Sequence, residues 1–297
     1  MNSILRFAPR AALLLLAACA TGRPQREAMM TARLPAFPDS ATFGVHVLAL
    51  GRAPDNALWV GTFGKGIFVL PQGQDEWRQI RAGDSTAIAW DFVNSLAFAA
   101  DGSVWYGTVG NGFGRSTDNG ATWRNWTFSQ LGPEWQYVAP DGIRTLGDTV
   151  YIATADGLRI SSDGGDTWFC VEGASGVAGG AAPRDDACTE RVASLPSEYL
   201  LSIDVAADGG IWVGDLFGVR RSGDGGRTWE SIDSMPREPV RAIAANTDRV
   251  WLSTERALYH FDTSENEMRT AAQIPWGARA IVPGQDAPTL LGGLGAS

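Results

Sequence analysis

The sequence predicts an all-β protein built from about six repeated units, and three observations support this prediction. The chain of 297 residues contains 36 glycines and 12 tryptophans, which suits many tight turns and a packing role that recurs. An aspartate precedes a large apolar residue at regular places, about 40 to 60 residues apart. After the N-terminal segment, no stretch shows sustained helical periodicity. A repeat of this length is typical of the blades of a β-propeller.

The aspartates divide the chain into six units. The six pairs are Asp55–Trp59, Asp101–Trp105, Asp148–Tyr151, Asp208–Trp212, Asp248–Trp251 and Asp286–Leu290. In each unit a short apolar strand precedes the aspartate turn, a β-rich strand follows it, and two further turns introduce a third and a fourth strand. A single unit leaves apolar faces exposed, whereas a ring of units buries them. We therefore expect a β-propeller of about six four-stranded blades, or of seven if the chain continues beyond Ser297.

The sixth unit is shorter than the others. Residues 278–283 and 289–293 supply only its first two strands. Residues 30–35 are similar in sequence to residues 268–275, the outer strand of the fifth unit. We therefore expect residues 30–36 to supply the outer strand of the last blade.

The first residues read as an export signal. Arg6 and Arg10 precede an apolar run, residues 11–18, that is too short to span a bilayer as a helix. The run ends in Leu-Ala-Ala followed by Cys19, which resembles the lipobox of bacterial lipoproteins. The resemblance implies cleavage before Cys19 and acylation of its sulfur, so that the chain is held at a membrane. An ordinary signal peptide with an incidental cysteine is the alternative.

The export signal sets the expected domain organisation. We expect a lipoprotein signal peptide at 1–18, a tether at 19–29 and the propeller at 30–297. Ala20 follows the cysteine, which in the lipoprotein family implies the outer membrane. The expected location is therefore the bacterial cell envelope.

Two cysteines, Cys170 and Cys188, lie within the propeller region. In an oxidising envelope compartment we expect them to form a disulfide, and two free thiols are the alternative. They lie in the longest interval between turn aspartates, so residues 169–198 read as an insertion within the third blade. Neither histidine of the chain is near them in sequence, and we expect no metal site and no cofactor.

Three units share a stricter motif between their third and fourth strands. It reads Ser-x-Asp-x-Gly-x-Thr-Trp at residues 116–123, 161–168 and 222–229. It resembles the Asp-box, or BNR repeat, of sialidase-like and photosystem-assembly-factor-like propellers, while residues 58–68 are similar to the repeat of propellers attached to two-component regulators. The aspartate can accept hydrogen bonds from its own turn, and the tryptophan can pack between blades. We expect structural roles for these residues: Asp118, Trp123, Asp163, Trp168, Asp224 and Trp229.

Alignment of the first strands places polar residues at one shared position. The aligned residues are His46, Asn94, Arg144, Leu201, Arg241 and Arg279. In a chain with a formal net charge of −9, three arginines and a histidine at one mouth of the propeller would form a local anion site. Guanidinium groups pair well with carboxylates, so we expect a pocket for an anionic glycan or another carboxylate. A solvated rim is the alternative.

Three carboxylates are weaker candidates for acid–base catalysis. Asp204, Asp215 and Glu255 lie on or just after first and second strands. Glycoside hydrolysis needs two carboxylates at a defined separation, which a sequence cannot show. The Arg-Ile-Pro motif of sialidases is absent from the sequence, and no tyrosine is recognisably placed as their nucleophile. We therefore expect no catalytic residue.

Charge and motifs together favour a binding protein. The negative net charge opposes nucleic-acid binding, because phosphate neutralisation needs a basic surface. We expect a non-catalytic binding or scaffold lipoprotein of the envelope that recognises a protein or a glycan. The alternatives are a glycoside hydrolase, sialidase-like or xyloglucanase-like, and the sensor propeller of a signalling protein.

Overall fold

The computed structural model describes residues 34–38, 44–127, 137–173, 188–274, 277–282 and 288–291. The chain divides into two compact units, Met1–Leu34 and Pro35–Ser297, and every strand belongs to the second. The predicted signal peptide, the tether with Cys19, Asp286 and the loop 174–187 lie outside the described residues. In the described part of the chain no helix is long and apolar enough to cross a membrane.

The described residues form 23 strands and no helix, in six sheets that follow one another along the chain. The first sheet contains β1 (Val47–Arg52), β2 (Leu58–Thr62), β3 (Ile67–Leu70) and β4 (Arg78–Ile80). The second contains β5 (Val93–Phe98), β6 (Val104–Thr108), β7 (Phe113–Ser116) and β8 (Arg124–Trp126). The third contains β9 (Val138–Leu146), β10 (Thr149–Thr154), β11 (Gly157–Ser161), β12 (Trp168–Gly173) and β13 (Cys188–Leu195).

The remaining three sheets continue the pattern. The fourth contains β14 (Ser202–Val205), β15 (Ile211–Asp215), β16 (Gly218–Ser222) and β17 (Glu230–Ser231). The fifth contains β18 (Ala242–Ala245), β19 (Arg249–Ser253), β20 (Ala257–Asp262) and β21 (Glu267–Gln273). The sixth contains β22 (Ala280–Val282) and β23 (Thr289–Leu291).

In each sheet consecutive strands are neighbours and pair antiparallel, except for the last pair of the third sheet, and the first strand of each sheet contacts the first strand of the next. The all-β prediction is confirmed, and the sheets of mostly four antiparallel strands are consistent with a propeller. The predicted turns of the first, second and fourth sheets follow the expected chemistry, because the aspartate caps the hairpin between the first and second strands. Asp55 Oδ1 accepts from Ala57 N at 3.0 Å and Asp101 Oδ1 from Ser103 N at 2.8 Å.

The core lies between neighbouring sheets and is rich in tryptophan. The aromatic residue on the second strand of each of the first five sheets is buried, as in Trp59 and Trp105. The tryptophan of a repeated motif in the next sheet packs against it edge-on. Trp123 lies 6.5 Å from Trp59 and Trp168 lies 6.1 Å from Trp105, measured between ring centroids. A pair of buried rings therefore joins each of these sheets to its neighbour.

The three Ser-x-Asp-x-Gly-x-Thr-Trp turns share one hydrogen-bond pattern. Asp118 Oδ1 accepts from Thr122 N at 2.8 Å, and its Oδ2 accepts from Thr122 Oγ1 at 2.6 Å. Asp163 and Asp224 make the same contacts with the threonines of their own turns. The hydrogen bonds from Thr122 lower the pKa of Asp118 to about 2. Each carboxylate is thus directed into its own turn.

The third sheet carries the predicted insertion. The disulfide between Cys170 and Cys188 is present, with Cα atoms 5.9 Å apart. It fixes the start of β13 beside β12, and the two strands pair in parallel. The described part of the insertion therefore adds a fifth, outermost strand to this sheet.

The N-terminal segment departs from the expectation for the last blade. Residues 34–38 form no strand. Trp77 Nε1 donates to Pro35 O at 3.0 Å, and Phe37 stacks on Trp77 with a centroid distance of 4.6 Å. Aromatic stacking and this hydrogen bond hold the segment against the first sheet. The prediction that residues 30–36 form an outer strand is therefore wrong for the described residues 34–36, and 30–33 lie outside the described part.

Candidate functional site

A cavity opens at the edge where the first strands of the third to sixth sheets begin. Its volume is about 430 Å³. It is lined by Tyr137, Pro140, Leu201, Arg241, Glu255, Gly277, Ala278 and Arg279, which we call the arginine cavity. Arg241 and Arg279 each immediately precede a first strand, β18 or β22, so the repeat itself brings the two guanidinium groups to one place.

The two arginines differ in their partners. Arg241 Nη2 lies 2.7 Å from Glu255 Oε1, and both side chains are largely exposed to solvent. Such exposed pairs stabilise little and exchange partners readily. Arg279 makes no ion pair and no side-chain hydrogen bond with any residue in the described part of the chain. The arginine cavity therefore presents one unpaired guanidinium and one that is only weakly held.

An aromatic wall adjoins the guanidinium groups. Tyr137 stacks on Tyr199, with ring centroids 6.2 Å apart and planes inclined by 12°. Burial, together with Tyr199, raises the pKa of the Tyr137 hydroxyl to about 12, against the opposing charges of Arg241 and Arg279. At neutral pH the phenol is therefore uncharged and can donate a hydrogen bond into the cavity.

Arg144, the third predicted arginine, occupies a different level of the sheet. It lies opposite Tyr151 across the β9–β10 pair. Its counterpart in the fourth sheet is therefore Asp204, which lies opposite Trp212 across the β14–β15 pair. The register of β9 shifts between Val138 and Ile143. This irregularity moves Arg144 along its strand, so its predicted equivalence to Arg241 and Arg279 is wrong.

The guanidinium of Arg144 is also fully engaged. Nε lies 2.8 Å from Asp204 Oδ1, Nη2 lies 2.9 Å from Asp141 Oδ2, and Nη1 donates to Asp141 O at 2.7 Å. Burial lowers the pKa of Arg144, but the two carboxylates outweigh burial and the pKa lies above its ordinary value. Arg144 lines a narrow crevice that is also lined by Arg241 and Arg279. There it joins Asp141 of its own strand to Asp204 of β14.

His46 and Asn94 do not join the arginine cavity. His46 is exposed in the first sheet, and its carbonyl accepts from Phe63 N at 2.9 Å. Phe92 makes the matching contact in the second sheet with Val109 N, so the predicted equivalence of His46 and Asn94 is wrong by two residues. Asn94 is buried, and its Nδ2 donates to Val138 O at 2.7 Å. It links the second and third sheets.

The three candidate catalytic carboxylates each have a partner of their own. Asp204 binds Arg144 and accepts from Ala245 N at 2.7 Å, which ties three sheets together. Asp215 is buried at the turn after β15 and accepts from Phe217 N at 2.6 Å. Burial raises the pKa of Asp215. Since Glu255 pairs with Arg241, each of the three has a place in the fold or in the rim of the cavity.

Tyr137, which lines the cavity, and Tyr199, which stacks on it, are the residues that sequence reasoning missed. Both stand immediately before an apolar residue that begins or precedes a first strand, as Tyr137-Val138 and Tyr199-Leu200. Phe92-Val93 repeats the pattern in the second unit. Aligning the units on this apolar residue would have exposed the aromatic position. Among the residues that the structure describes, no group of His, Cys, Asp and Glu side chains could hold a metal ion.

Solved structures with a similar fold include an extracellular domain of a two-component system, an ancestral GH74 enzyme and a bacterial surface component. The extracellular domain of the hybrid two-component system BT3049 from B. thetaiotaomicron has a TM-score of 0.60 and 14% identity, over 86% of this chain and 32% of that chain. An ancestral GH74 enzyme has a TM-score of 0.54 and 14% identity, over 80% of this chain and 32% of that one.

PorZ, a surface component of the type-IX secretion system of Porphyromonas gingivalis, has a TM-score of 0.51 and 16% identity, over 77% of this chain and 33% of that one. At these identities the likeness shows a shared β-propeller-like fold, and the chain spans about a third of the length of each of the three proteins. No family model and no curated protein matches the sequence.

Proposed function

We propose that this protein is a non-catalytic binding protein of the bacterial envelope whose arginine cavity recognises a carboxylate-bearing glycan. The unpaired guanidinium of Arg279, beside Arg241 in a cavity of about 430 Å³, carries the proposal. An arginine held at a cavity wall in an acidic chain attracts anions and can bind a carboxylate through two parallel hydrogen bonds. The neutral hydroxyl of Tyr137 adds a donor for a sugar oxygen.

The envelope location is proposed on two grounds. The structural neighbours include extracellular domains from bacteria. The lipobox-like segment before Cys19 supplies a means of attachment, and we propose lipidation of Cys19 and retention at the outer membrane. Mass spectrometry of the purified protein would test this, with a diacylglyceryl adduct on Cys19 expected and an unmodified N-terminus of another residue contradicting it.

Ligand binding is tested by calorimetry and thermal shift with small sugar acids. The probes are D-galacturonate, D-glucuronate and N-acetylneuraminate, with their methyl esters as neutral controls. We expect at least one acid to raise the melting temperature and its ester to have no effect. Arg279→Ala should remove the shift. Arg256→Ala, which removes an exposed arginine that contacts Glu238 only at 4.0 Å, should leave it unchanged. Equal shifts in all three proteins would contradict the proposal.

A sensor role is the second candidate, since two of the structural neighbours are extracellular domains of signalling systems. A sensor would use the same cavity, so the two readings share their ligand and differ in what is attached to the propeller. A histidine kinase or regulator domain encoded in the same open reading frame as this chain would favour the sensor. Turnover of a glycoside in the same binding experiments would favour a hydrolase and contradict both.

A further inference from the structure

Four successive sheets carry an aromatic ring at one equivalent position, which we call the aromatic row. Its members are His46, Phe92, Tyr137 and Tyr199. The carbonyls of the first three accept from Phe63 N at 2.9 Å, Val109 N at 3.1 Å and Ala155 N at 2.9 Å, one residue beyond the second strand in each case. The position is thus the same in the first, second and third sheets.

The fourth member, Tyr199, is placed by a hydrogen bond to the residue that precedes it in the sequence. Glu198 O accepts from Gly157 N at 2.6 Å, as Asp91 O accepts from Gly66 N at 3.0 Å. Tyr199 therefore corresponds to Phe92. In the next two sheets the position holds Pro239 and Gly277, which carry no aromatic ring. The arginine cavity lies where the aromatic row ends.

Between the first and second sheets, Phe63 and Trp90 flank Phe92, and the three rings form what we call the ledge. Phe63 lies 4.6 Å from Phe92, edge to face, and Trp90 lies 4.7 Å from Phe92 on centroids. Phe63 is 55% exposed. A Cβ on Gly110 would meet the Trp90 ring at 3.3 Å, so the indole rests on bare backbone at this point. The ledge is a set of partly exposed rings supported from below.

We infer that the aromatic row and its ledge bind an oligosaccharide chain that ends with an acidic sugar in the arginine cavity. This rests on the proposed function and extends it from a sugar acid to a polymer. Sugar rings present flat C–H faces that stack on aromatic rings, while their hydroxyls remain in solvent or bond to polar neighbours. One ring per sheet, at the same edge, provides repeated stacking positions for the repeated units of a glycan.

The polar groups of the aromatic row and of the arginine cavity favour a glycan over a helical or extended peptide. Tyr137 and Tyr199 carry hydroxyls, and Arg241 and Glu255 line the cavity where the row ends, so no continuous apolar groove is available for the side chains of a peptide. A glycan chain fits a surface that combines aromatic rings with polar groups, because every sugar unit has both an apolar face and a rim of hydroxyls. The free guanidinium of Arg279 complements a carboxylate on the chain.

The test compares monomers with short homo-oligomers of galacturonate, glucuronate and N-acetylneuraminate by calorimetry. We expect a hexamer of at least one acid to bind at least tenfold more tightly than its monomer. Phe92→Leu and Phe63→Leu should reduce hexamer affinity by about tenfold and leave monomer affinity unchanged, because leucine keeps the apolar volume but removes the flat ring. Phe169→Leu, on β12 in the third sheet, is the matched control and should change neither.

The outcomes separate the two proposals. If Arg279→Ala weakens the monomer but Phe92→Leu and Phe63→Leu leave the hexamer unaffected, the aromatic row is overturned and the arginine cavity stands. If the two leucine variants weaken the hexamer while Arg279→Ala changes nothing, the cavity is overturned instead. Hexaglutamate that binds as tightly as the sugar hexamer, with the same dependence on Phe92, would reassign the row to an acidic peptide. Equal affinity of monomer and hexamer in the wild-type chain overturns the row outright. Since Phe63 is exposed, its variant remains informative if Phe92→Leu unfolds.

Discussion

Arg144 on β9 and Asp204 on β14 form an ion pair across the third and fourth sheets, with Nε 2.8 Å from Oδ1. Both side chains are about four-fifths buried, and Asp204 also accepts from Ala245 N in the fifth sheet. The pair therefore bridges three sheets at the level of the second-strand aromatics. Two residues that the sequence suggested for a site instead hold the sheets in register.

Removal of this pair is expected to destabilise the protein. Asp204→Asn leaves the Arg144 guanidinium and the Ala245 amide with a weaker acceptor, so we expect a loss of about 1–3 kcal/mol in the free energy of unfolding. Urea denaturation would measure it. Glu255→Gln removes an exposed carboxylate and should cost under about 1 kcal/mol. Equal losses in the two variants would mean that the bridge does not stabilise the packing of the sheets.

The turn aspartates predict a pH dependence in acid. The pKa of Asp118 is lowered from 3.8 to about 2 by hydrogen bonds from Thr122. A carboxyl whose folded pKa is depressed adds stability above its unfolded pKa and loses it as the pH falls toward the folded pKa. We therefore expect Asp118→Asn to flatten the fall in stability between about pH 4 and pH 2.

Thermal unfolding across this pH range would measure the effect. Asp148→Asn serves as the control, because the Asp148 carboxylate accepts no hydrogen bond from any residue in the described part of the chain. A profile that is the same for wild type and Asp118→Asn would show that the turn does not hold the ionised carboxylate.

The pKa of Tyr137 predicts that the stability of the fold also falls as the pH rises into the alkaline range. Burial and the neighbouring Tyr199 raise its pKa from 10.0 to about 12. A group whose folded pKa is raised adds stability below its unfolded pKa and loses it as the pH rises through the folded value. The stability contribution of Tyr137 should therefore decline between about pH 10 and pH 12, and Tyr137→Phe should reduce that decline.

Ultraviolet titration of tyrosinate provides an independent measurement. We expect Tyr137→Phe to remove a component that titrates near pH 12, while carboxylate affinity of the wild-type protein stays constant between about pH 6 and pH 9 because the phenol remains neutral. A component lost near pH 10 would place Tyr137 in open solvent.

The disulfide predicts redox-dependent stability. Cys170 and Cys188 close a loop with a sequence separation of 18 residues. In the chain-entropy model, closing a loop of this size stabilises the folded state by about 3 kcal/mol. Reduction with dithiothreitol should lower the free energy of unfolding by about that amount. The double variant Cys170→Ser/Cys188→Ser should already be destabilised and should not respond to the reductant.

Local patterns in the sequence determined the strands and turns of this protein. Aspartate turns such as Asp101-Gly102 and the β-rich runs that follow them are properties of a few adjacent residues, and they predicted sheets and hairpins where the structure has them. The sequence also predicted that Arg241 and Arg279 occupy equivalent positions, because each precedes the first strand of its sheet by one residue.

Tertiary structure decided what no local pattern contains. The irregular register of β9 moved Arg144 away from Arg241, and it arises from how that strand pairs with β10 across the sheet. Pro35 and Phe37 lie against the first sheet because Trp77 and Phe68 offer them a surface. The stacking of Tyr137 on Tyr199 likewise depends on the packing of the third sheet against the fourth. Register and packing between sheets depend on contacts distant in sequence, so only the folded chain brings the residues of the arginine cavity together.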